Sequence, residues 1–514
     1  MSRAPTSYDI FSYRGFAYME SHPARLASLA AFYGMNPTPV SRCRVLELGC
    51  GVGANVIPMA DQYPDSEFVG IDLSGRSIEL GSGAIAALGL KNITLRHANI
   101  TDVTRDYGAF DYIIAHGVYS WVPADVRDKM LAIFHDNMRP QGVAFVSYNA
   151  HPGSHLRDLV RDMMLFHVRD ITDPRERVAQ ARAVVKALAE ASAKTSVHGA
   201  VLRSELARIE GMGDDILFHD DLDEVAVPFL LHQVVSDAER HGLQYLCDSS
   251  LWRRSLDRVA ENMRGLLSQF NAKAYMARDQ YHDFIDGHGF RRTLLCHGDI
   301  SLDRDPEPSC IKRFYLASSA APSETDIDPA TTDNVEFKTK IGDTLASKHP
   351  LSKAALLHLS QCWPMAVSFE NLLDAARARL MARAEMGDFC SAEQVETMTR
   401  ALFNAMCGGD IEFYLFPLPC VAEVSELPEV SRLVRRQAQH GSMVTSLRHD
   451  SVMLDDDAMR RFVQLVDGTR NADKLVVDFR ASVAQMPGQS GSVITREKVL
   501  ANLKELAKLA LLNR

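Results

Sequence analysis

The passage "RVLELGCGVGA", Arg44 to Ala54, constrains the fold more than any other part of the chain. A short run of strand character enters a loop carrying Gly49, Gly51 and Gly53, and a helical pattern follows from about Asn55 to Gln62. A strand that turns through glycines into a helix opens an α/β sheet. The alternation continues to residue 150: "EFVGIDL" (67–73), "ITLRHANI" (93–100), "FDYIIAHG" (110–117) and "GVAFVSYNA" (142–150) read as strands, with "GRSIELGSGAIAALG" and "ADVRDKMLAIFHDNM" as helices between them. This order predicts a mostly parallel sheet with helices on both faces, and ligands bound outside the carboxyl ends of its strands.

The loop satisfies two templates. Gly49-x-Gly51-x-x-Ala54 meets the dinucleotide fingerprint, which accepts alanine in its third position. Glu47-x-Gly49-x-Gly51-x-Gly53 meets the pattern of enzymes that use S-adenosylmethionine (SAM). Electrostatics separates them. A dinucleotide brings pyrophosphate charge to the helix N-terminus, where the Glu47 carboxylate would repel it. SAM has no phosphate and carries an ammonium and a sulfonium, which an acidic residue attracts. Glu47 therefore favours SAM. Asp72, ending the second strand, suits both ribose hydroxyls. Asn99, ending the third, stands where an adenine contact belongs, and His116 or Gly117 after the fourth is expected near the cofactor. Gly49, Cys50, Gly51, Gly53 and Asn55 in the loop, Leu73 and Ser74 after Asp72, and Ile100 after Asn99 complete the expected cofactor-binding set.

A chain of 514 residues is too long for one core. A net charge of −10 without a long Lys/Arg block argues against a nucleic-acid partner. No apolar run approaches the ~18 residues of a membrane-spanning helix, and the first residues lack a signal-peptide h-region. Nine cysteines without a C-x-x-C pair suit reduced thiols, so a cytoplasmic location is expected.

The expected division is an N-terminal helical lid segment (1–40), a cofactor-binding core (41–155), a helical regulatory region (156–300), and two further domains (301–390 and 391–514). "ASSAAPSETDIDPATTD" (317–333) is the best linker candidate. "SKAALLHLSQCWPMAVSFENLLDAA" and "DAMRRFVQLVDGTRNADKLVVDF" share the grammar of the helix–turn–helix part of a winged-helix fold. The tail "TREKVLANLKELAKLALL" is amphipathic, with Leu500, Leu503, Leu506 and Ala507 on one stripe for packing.

Several longer passages carry a resemblance: "SYDIFSYRGFAYMESHPARLASLAAFYGMNP", "GVYSWVP", "SYNAHPGSHLRDLVRDMMLFH", "FHDDLDEVAVPFLLHQVVSDAERHGLQYL" and "FRRTLLCH", in this order. The set resembles bacterial class I SAM-dependent methyltransferases with a methyltransferase regulatory domain, a group that includes rickettsial outer-membrane-protein lysine methyltransferases. The resemblance covers residues 7–300 firmly and the C-terminal third more loosely. It implies a Rossmann-like core with a seven-stranded sheet, SAM as cofactor, a homodimer, and methyl transfer to lysine of a surface or secreted protein. Two positions depart from the group: Asn99 where Asp is usual, and Ser12 before Tyr13 where Pro is expected.

A lysine nucleophile must first lose its proton, which from a pKa of about 10.4 costs roughly 4–5 kcal/mol at pH 7 unless the site lowers it. Aromatic walls do so by desolvation and still accept a cationic product. Tyr119 and Trp121 after the fourth strand, with Tyr8 and Tyr13 in a segment able to fold over the site, are the expected walls; each also has an ordinary packing role open to it. No Asn/Asp-Pro-Pro-Tyr motif is present. His151 and His155 share an i, i+4 spacing without an obvious third ligand, so no metal is expected. Two other functions stay open: a small-molecule methyltransferase and a non-catalytic SAM-binding regulator.

Overall fold

A computed structural model describes residues 13, 15–251, 260–269, 275–339, 342–382, 391–486 and 494–513. Its centre is a seven-stranded sheet: β1 (Arg44–Leu48), β2 (Glu67–Asp72), β3 (Ile93–His97), β4 (Phe110–Ala115), β5 (Met138–Asn149), β6 (Leu243–Asp248) and β7 (Phe290–His297). The strand order is β3-β2-β1-β4-β5-β7-β6, parallel from β3 to β5, with β7 antiparallel to both neighbours. The chain is α/β, as the alternation predicts.

The boundary expected at residue 155 is corrected by this topology. The edge of β5 left open by a core of 41–155 is covered by β7, which pairs Ala144 with Leu295 and Tyr148 with Arg291. Residues between β5 and β6 are an insertion, in which the helices Ser154–Val168, Pro174–Ala191, Val197–Glu210 and Asp214–Asp221 enclose their own core around Val160, Met164, Val185 and Leu202.

Alternation along β1 sorts its side chains. Leu46 and Leu48 join the face packed by the helix Ala124–Asn137, whereas Val45 faces the side covered by the helix Pro23–Phe32. Glu47 shares the parity of Val45, and its backbone is flanked by Gly70 of β2 and Ile114 of β4. The helix Pro23–Phe32 is apolar nearly all round, starts with Pro at its first position, is capped by the His22 ring, and buries every residue except Arg25. The described part of the expected lid segment is therefore a core element, and Tyr8 and Ser12 lie outside the described residues.

Beyond the sheet, a three-stranded antiparallel sheet (Tyr315–Ala317 between Val367–Ser368 and Glu412–Tyr414) packs with the helices Pro350–Cys362, Phe369–Met381 and Ala392–Cys407. The middle body thus continues past the expected boundary at 390, because Glu412–Tyr414 pairs with Tyr315–Ala317. Residues 317–333 are not an interdomain linker. Ala317 and Ala320 are buried, and Lys353 Nζ donates to the carbonyls of Thr331 and Asp333 at 2.8 and 3.0 Å. The last domain comprises the helices Arg432–His440, Asp457–Leu465, Ala472–Val483 and Arg496–Lys508 with the hairpin Met443–Thr445/Ser451–Met453. Leu503, Leu506 and Ala507 of its final helix are buried against Phe462 and Phe479, as the amphipathic stripe predicts, while Leu500 is half-buried. Among the described residues, no helix is long and apolar enough to cross a membrane.

Candidate active site at the glycine loop

The carboxyl ends of β1, β2 and β4 meet at the loop 49–55. Gly49, Gly51 and Gly53 all adopt positive φ, and a Cβ on Gly49 would lie 2.5 Å from Val118 Cγ2, so the turn requires glycine there. The Gly49 and Cys50 N–H groups both donate to Ile71 C=O, at 2.9 and 3.0 Å. Gly51 N–H donates to Asp72 Oδ2 and Ser74 N–H to Asp72 Oδ1, each at 2.8 Å. Asp72 thus ties the loop to the end of β2. A Cβ on Gly51 would meet nothing within 4 Å, so its face of the loop is open.

Glu47 is 3 % exposed. Its Oε1 accepts from Asn55 Nδ2 at 2.7 Å, while Oε2 is buried with no hydrogen-bond partner. Burial pushes its pKa up to about 8, the Asn55 hydrogen bond opposes that rise, and nearby Asp72 adds to it. An unpartnered buried carboxylate oxygen costs about 1–3 kcal/mol or more, and a bound cation removes that cost. These acceptors therefore fit a ligand with an ammonium group, such as SAM, whose positive charge favours the ionised form of Glu47.

The remaining expected residues divide. His116 follows β4, and its ring stacks on Tyr18 with centroids 3.7 Å apart and planes 12° from parallel. Its Nε2 is buried without a partner, and burial, with Arg292 nearby, holds its pKa down at about 3, so the imidazole is neutral. Leu73 is exposed beside Asp72, and its carbonyl meets His97 Nε2 at 3.0 Å. Ser74 Oγ caps the next helix by accepting from Ser77 N–H. Asn99 Oδ1 accepts from Thr101 N–H, capping the short turn that begins at Ile100, while Asp102 accepts the Asn99 N–H. Its side chain thus caps the turn that follows β3. The Cys50 thiol packs beneath the loop against Gly70, so only the backbone of Cys50 belongs to the loop surface.

Tyr119 requires a correction. It is 1 % exposed and packs against Tyr148 and Phe229 in the core on the opposite sheet face from Val45, so its ring is a packing element, not a channel wall. Two residues on, Trp121 is half-buried in the same short turn. Around His116 stand Phe145 and Phe290, with centroids 5.9 and 6.0 Å away, and, stacked directly on it, Tyr18, which the spacing did not single out. Tyr18 N–H donates to Asn55 Oδ1 at 3.1 Å, and its hydroxyl pairs with Tyr13, whose ring meets His219 edge-on at 5.6 Å. Burial, then the Asp220 and Glu47 carboxylates, raise the Tyr18 pKa to about 12. Burial likewise lifts Asp220 to about 6. His219 and Asp220 belong to the inserted helices, so the site joins three parts of the chain; no sequence spacing relates them.

His151 and His155 stack with centroids 3.8 Å apart, and Asp158 supplies the third donor that the sequence reading lacked; the ligand atoms of the three lie within 4.8 Å of one another.

Comparison with known proteins agrees with this architecture. Residues 45–142 match the methyltransferase domain model, residues 213–297 the predicted methyltransferase regulatory domain, and residues 426–511 the PKMT C-terminal winged helix domain. An uncharacterized protein of Rickettsia prowazekii is 35% identical over 380 residues, 73% of this chain and 68% of its own length. A second one from the same organism is 34% identical over 241 residues, 47% of this chain and 96% of its own length. The structure of PKMT2 from Rickettsia typhi superposes with a TM-score of 0.87 at 26% identity, covering 98% of this chain and 100% of that one. Its complex with AdoHcy, the demethylated form of SAM, superposes with a TM-score of 0.86. The chain belongs to the bacterial SAM-dependent methyltransferases that join a Rossmann-like core to a methyltransferase regulatory domain and a PKMT-type winged-helix domain.

Proposed function

We propose that the chain methylates lysine side chains of a protein, with the residues at the ends of β1, β2, β3 and β4 holding the cofactor. Glu47 would take the α-ammonium through its unpartnered oxygen, Asp72 the ribose hydroxyls, and the turn at Asn99–Ile100 the adenine. SAM, when bound, supplies a methyl group activated by its sulfonium.

The observation that carries the lysine reading is the Tyr18–His116 stack beside Glu47, extended by Tyr13 to His219 and Asp220. An aromatic wall desolvates an ammonium and favours the neutral amine. Neutral His116 adds no charge to repel the incoming cation, and its unpartnered Nε2 can accept an amine N–H. Asp220, ionised above a pKa of about 6, is the nearby carboxylate that can take the proton a lysine must shed. The likeness to PKMT2 supports the same reading.

The test is to incubate the full-length protein with methyl-labelled SAM and lysate of its own organism, then separate protein from small molecules. Label in protein that hydrolyses to methyllysine supports the proposal. Label confined to small molecules favours a small-molecule methyltransferase, and absence of transfer favours a SAM-binding regulator.

A further inference from the structure

The cofactor loop is held by the far end of the chain. The tip of the C-terminal hairpin, residues 446–450, lies between the two sheet-containing bodies. Arg448 donates to Pro364 C=O at 2.8 Å and Tyr414 Oη at 3.0 Å, pairs with Glu412, and lies over the Trp363 ring. The next residue, His449, turns the other way. It is 1 % exposed, its Nε2 lies 2.9 Å from Asn55 Oδ1, and its ring packs on His22 at 4.8 Å. Its φ of 64° is in the left-handed region, a conformation that a side-chain-bearing residue adopts at a cost and that recurs at functional sites.

Asn55 is the junction. Its Oδ1 accepts from the Tyr18 N–H, a backbone donor with no alternative role, so the amide orientation is fixed. The His449 Nε2 facing that oxygen must therefore carry the proton and donate. With Oδ1 held by Tyr18 and His449, Nδ2 is directed at Glu47 Oε1, 2.7 Å away, and at Ser21 Oγ, 3.1 Å away. Glu47 is thereby fixed with its other oxygen unpartnered in the site.

We infer that His449 is a positioning residue for cofactor binding: the wing of the C-terminal domain sets, through Asn55, the orientation of the Glu47 carboxylate. The domain completes the methyltransferase site in addition to any part it takes in acceptor recognition. The inference rests on the proposed role of Glu47.

The test measures AdoHcy affinity by calorimetry, with melting temperature, on full-length Glu47→Gln, His449→Phe and His449→Gln. Phenylalanine keeps the ring volume without the N–H, whereas glutamine retains an N–H near the Nε2 position. His449→Phe is expected to weaken AdoHcy at least about fivefold, the lower end of measured coupling between linked sites, with glutamine restoring most of the loss. A merely structural contact would lower the melting temperatures of both His449 variants and leave the affinity of the folded protein unchanged, which would overturn the inference. Normal affinity in Glu47→Gln would defeat the Glu47 assignment itself; weak binding there with normal binding in His449→Phe would defeat only the role of His449. Hydrogen exchange on the unmutated protein decides the matter should the variants not fold. Saturating AdoHcy is expected to slow exchange of the amides at 446–450, and protection confined to the glycine loop contradicts the coupling.

Discussion

Asn55 Nδ2 donates to Glu47 Oε1 over 2.7 Å, leaving the second oxygen of a buried carboxylate without a partner. That asymmetry is destabilising in the free protein and favours a cation as ligand. The consequences can be measured one at a time.

Cofactor binding should release a proton near neutral pH. With a pKa of about 8, Glu47 is mostly protonated at pH 7 in the free protein, and a bound ammonium favours its ionised form. Affinity should then weaken as pH falls below about 8. The groups facing Glu47 are Asp72, Cys50, Tyr18 and Asn55, and the same sign follows because the largest cause is burial. Calorimetry at pH 7 in buffers of different ionisation enthalpy reads the proton directly; no proton exchange would contradict the assignment.

Glu47→Gln should trade stability against binding. A carboxyl raised above its ordinary value destabilises the fold above the unfolded pKa, so its neutral isostere should stabilise the cofactor-free protein at and above pH 7, on the order of 1 kcal/mol or more. The same variant should show no thermal shift with SAM. A lowered melting temperature with a normal SAM shift would refute both halves.

Asp72→Ala should weaken SAM by about 1.5–3 kcal/mol, the range for hydrogen bonds to a charged group. It should also loosen the loop, because Gly51 and Ser74 lose their common acceptor. Calorimetry on the folded variant is the check, and unchanged affinity would remove Asp72 from the site.

Tyr119 and Trp121 should behave differently although they share one turn. Tyr119→Ala empties a core position and should cost about 3–5 kcal/mol of stability. Trp121 is half-buried, and its replacement by Ala should leave melting temperature and SAM affinity nearly intact while lowering turnover at least about tenfold if the ring borders the acceptor channel. Parallel melting curves and rate measurements separate the two.

The strand–glycine–helix unit was legible in the sequence because local chemistry dictates it: apolar strands, glycines at positive φ, and acidic residues near the carboxyl ends of β1 and β2, Glu47 and Asp72. Both helix pairs of the C-terminal region were legible for the same reason. The end of the sheet was not. β6 and β7 follow a long helical insertion, and antiparallel pairing of Tyr148 with Arg291 leaves no trace in spacing. Tyr119 escaped the sequence for a related cause: both it and Trp121 follow β4, but the face on which a side chain emerges depends on the turn, and the turn put Tyr119 into the core. Tyr18, Asp220 and His449 reach the site from distant segments, so only the folded chain brings them together.

The most direct measurement of the central claim is peptide mass spectrometry after incubating proteins of the chain's own organism with deuteromethyl SAM and either the unmutated protein or Tyr18→Ala. Deuteromethyl groups are expected on lysine Nε atoms with the unmutated protein, and their loss with Tyr18→Ala although that variant still binds SAM. Deuteromethyl label on other residue types, or lysine labelling that persists undiminished without the Tyr18 ring, would contradict it.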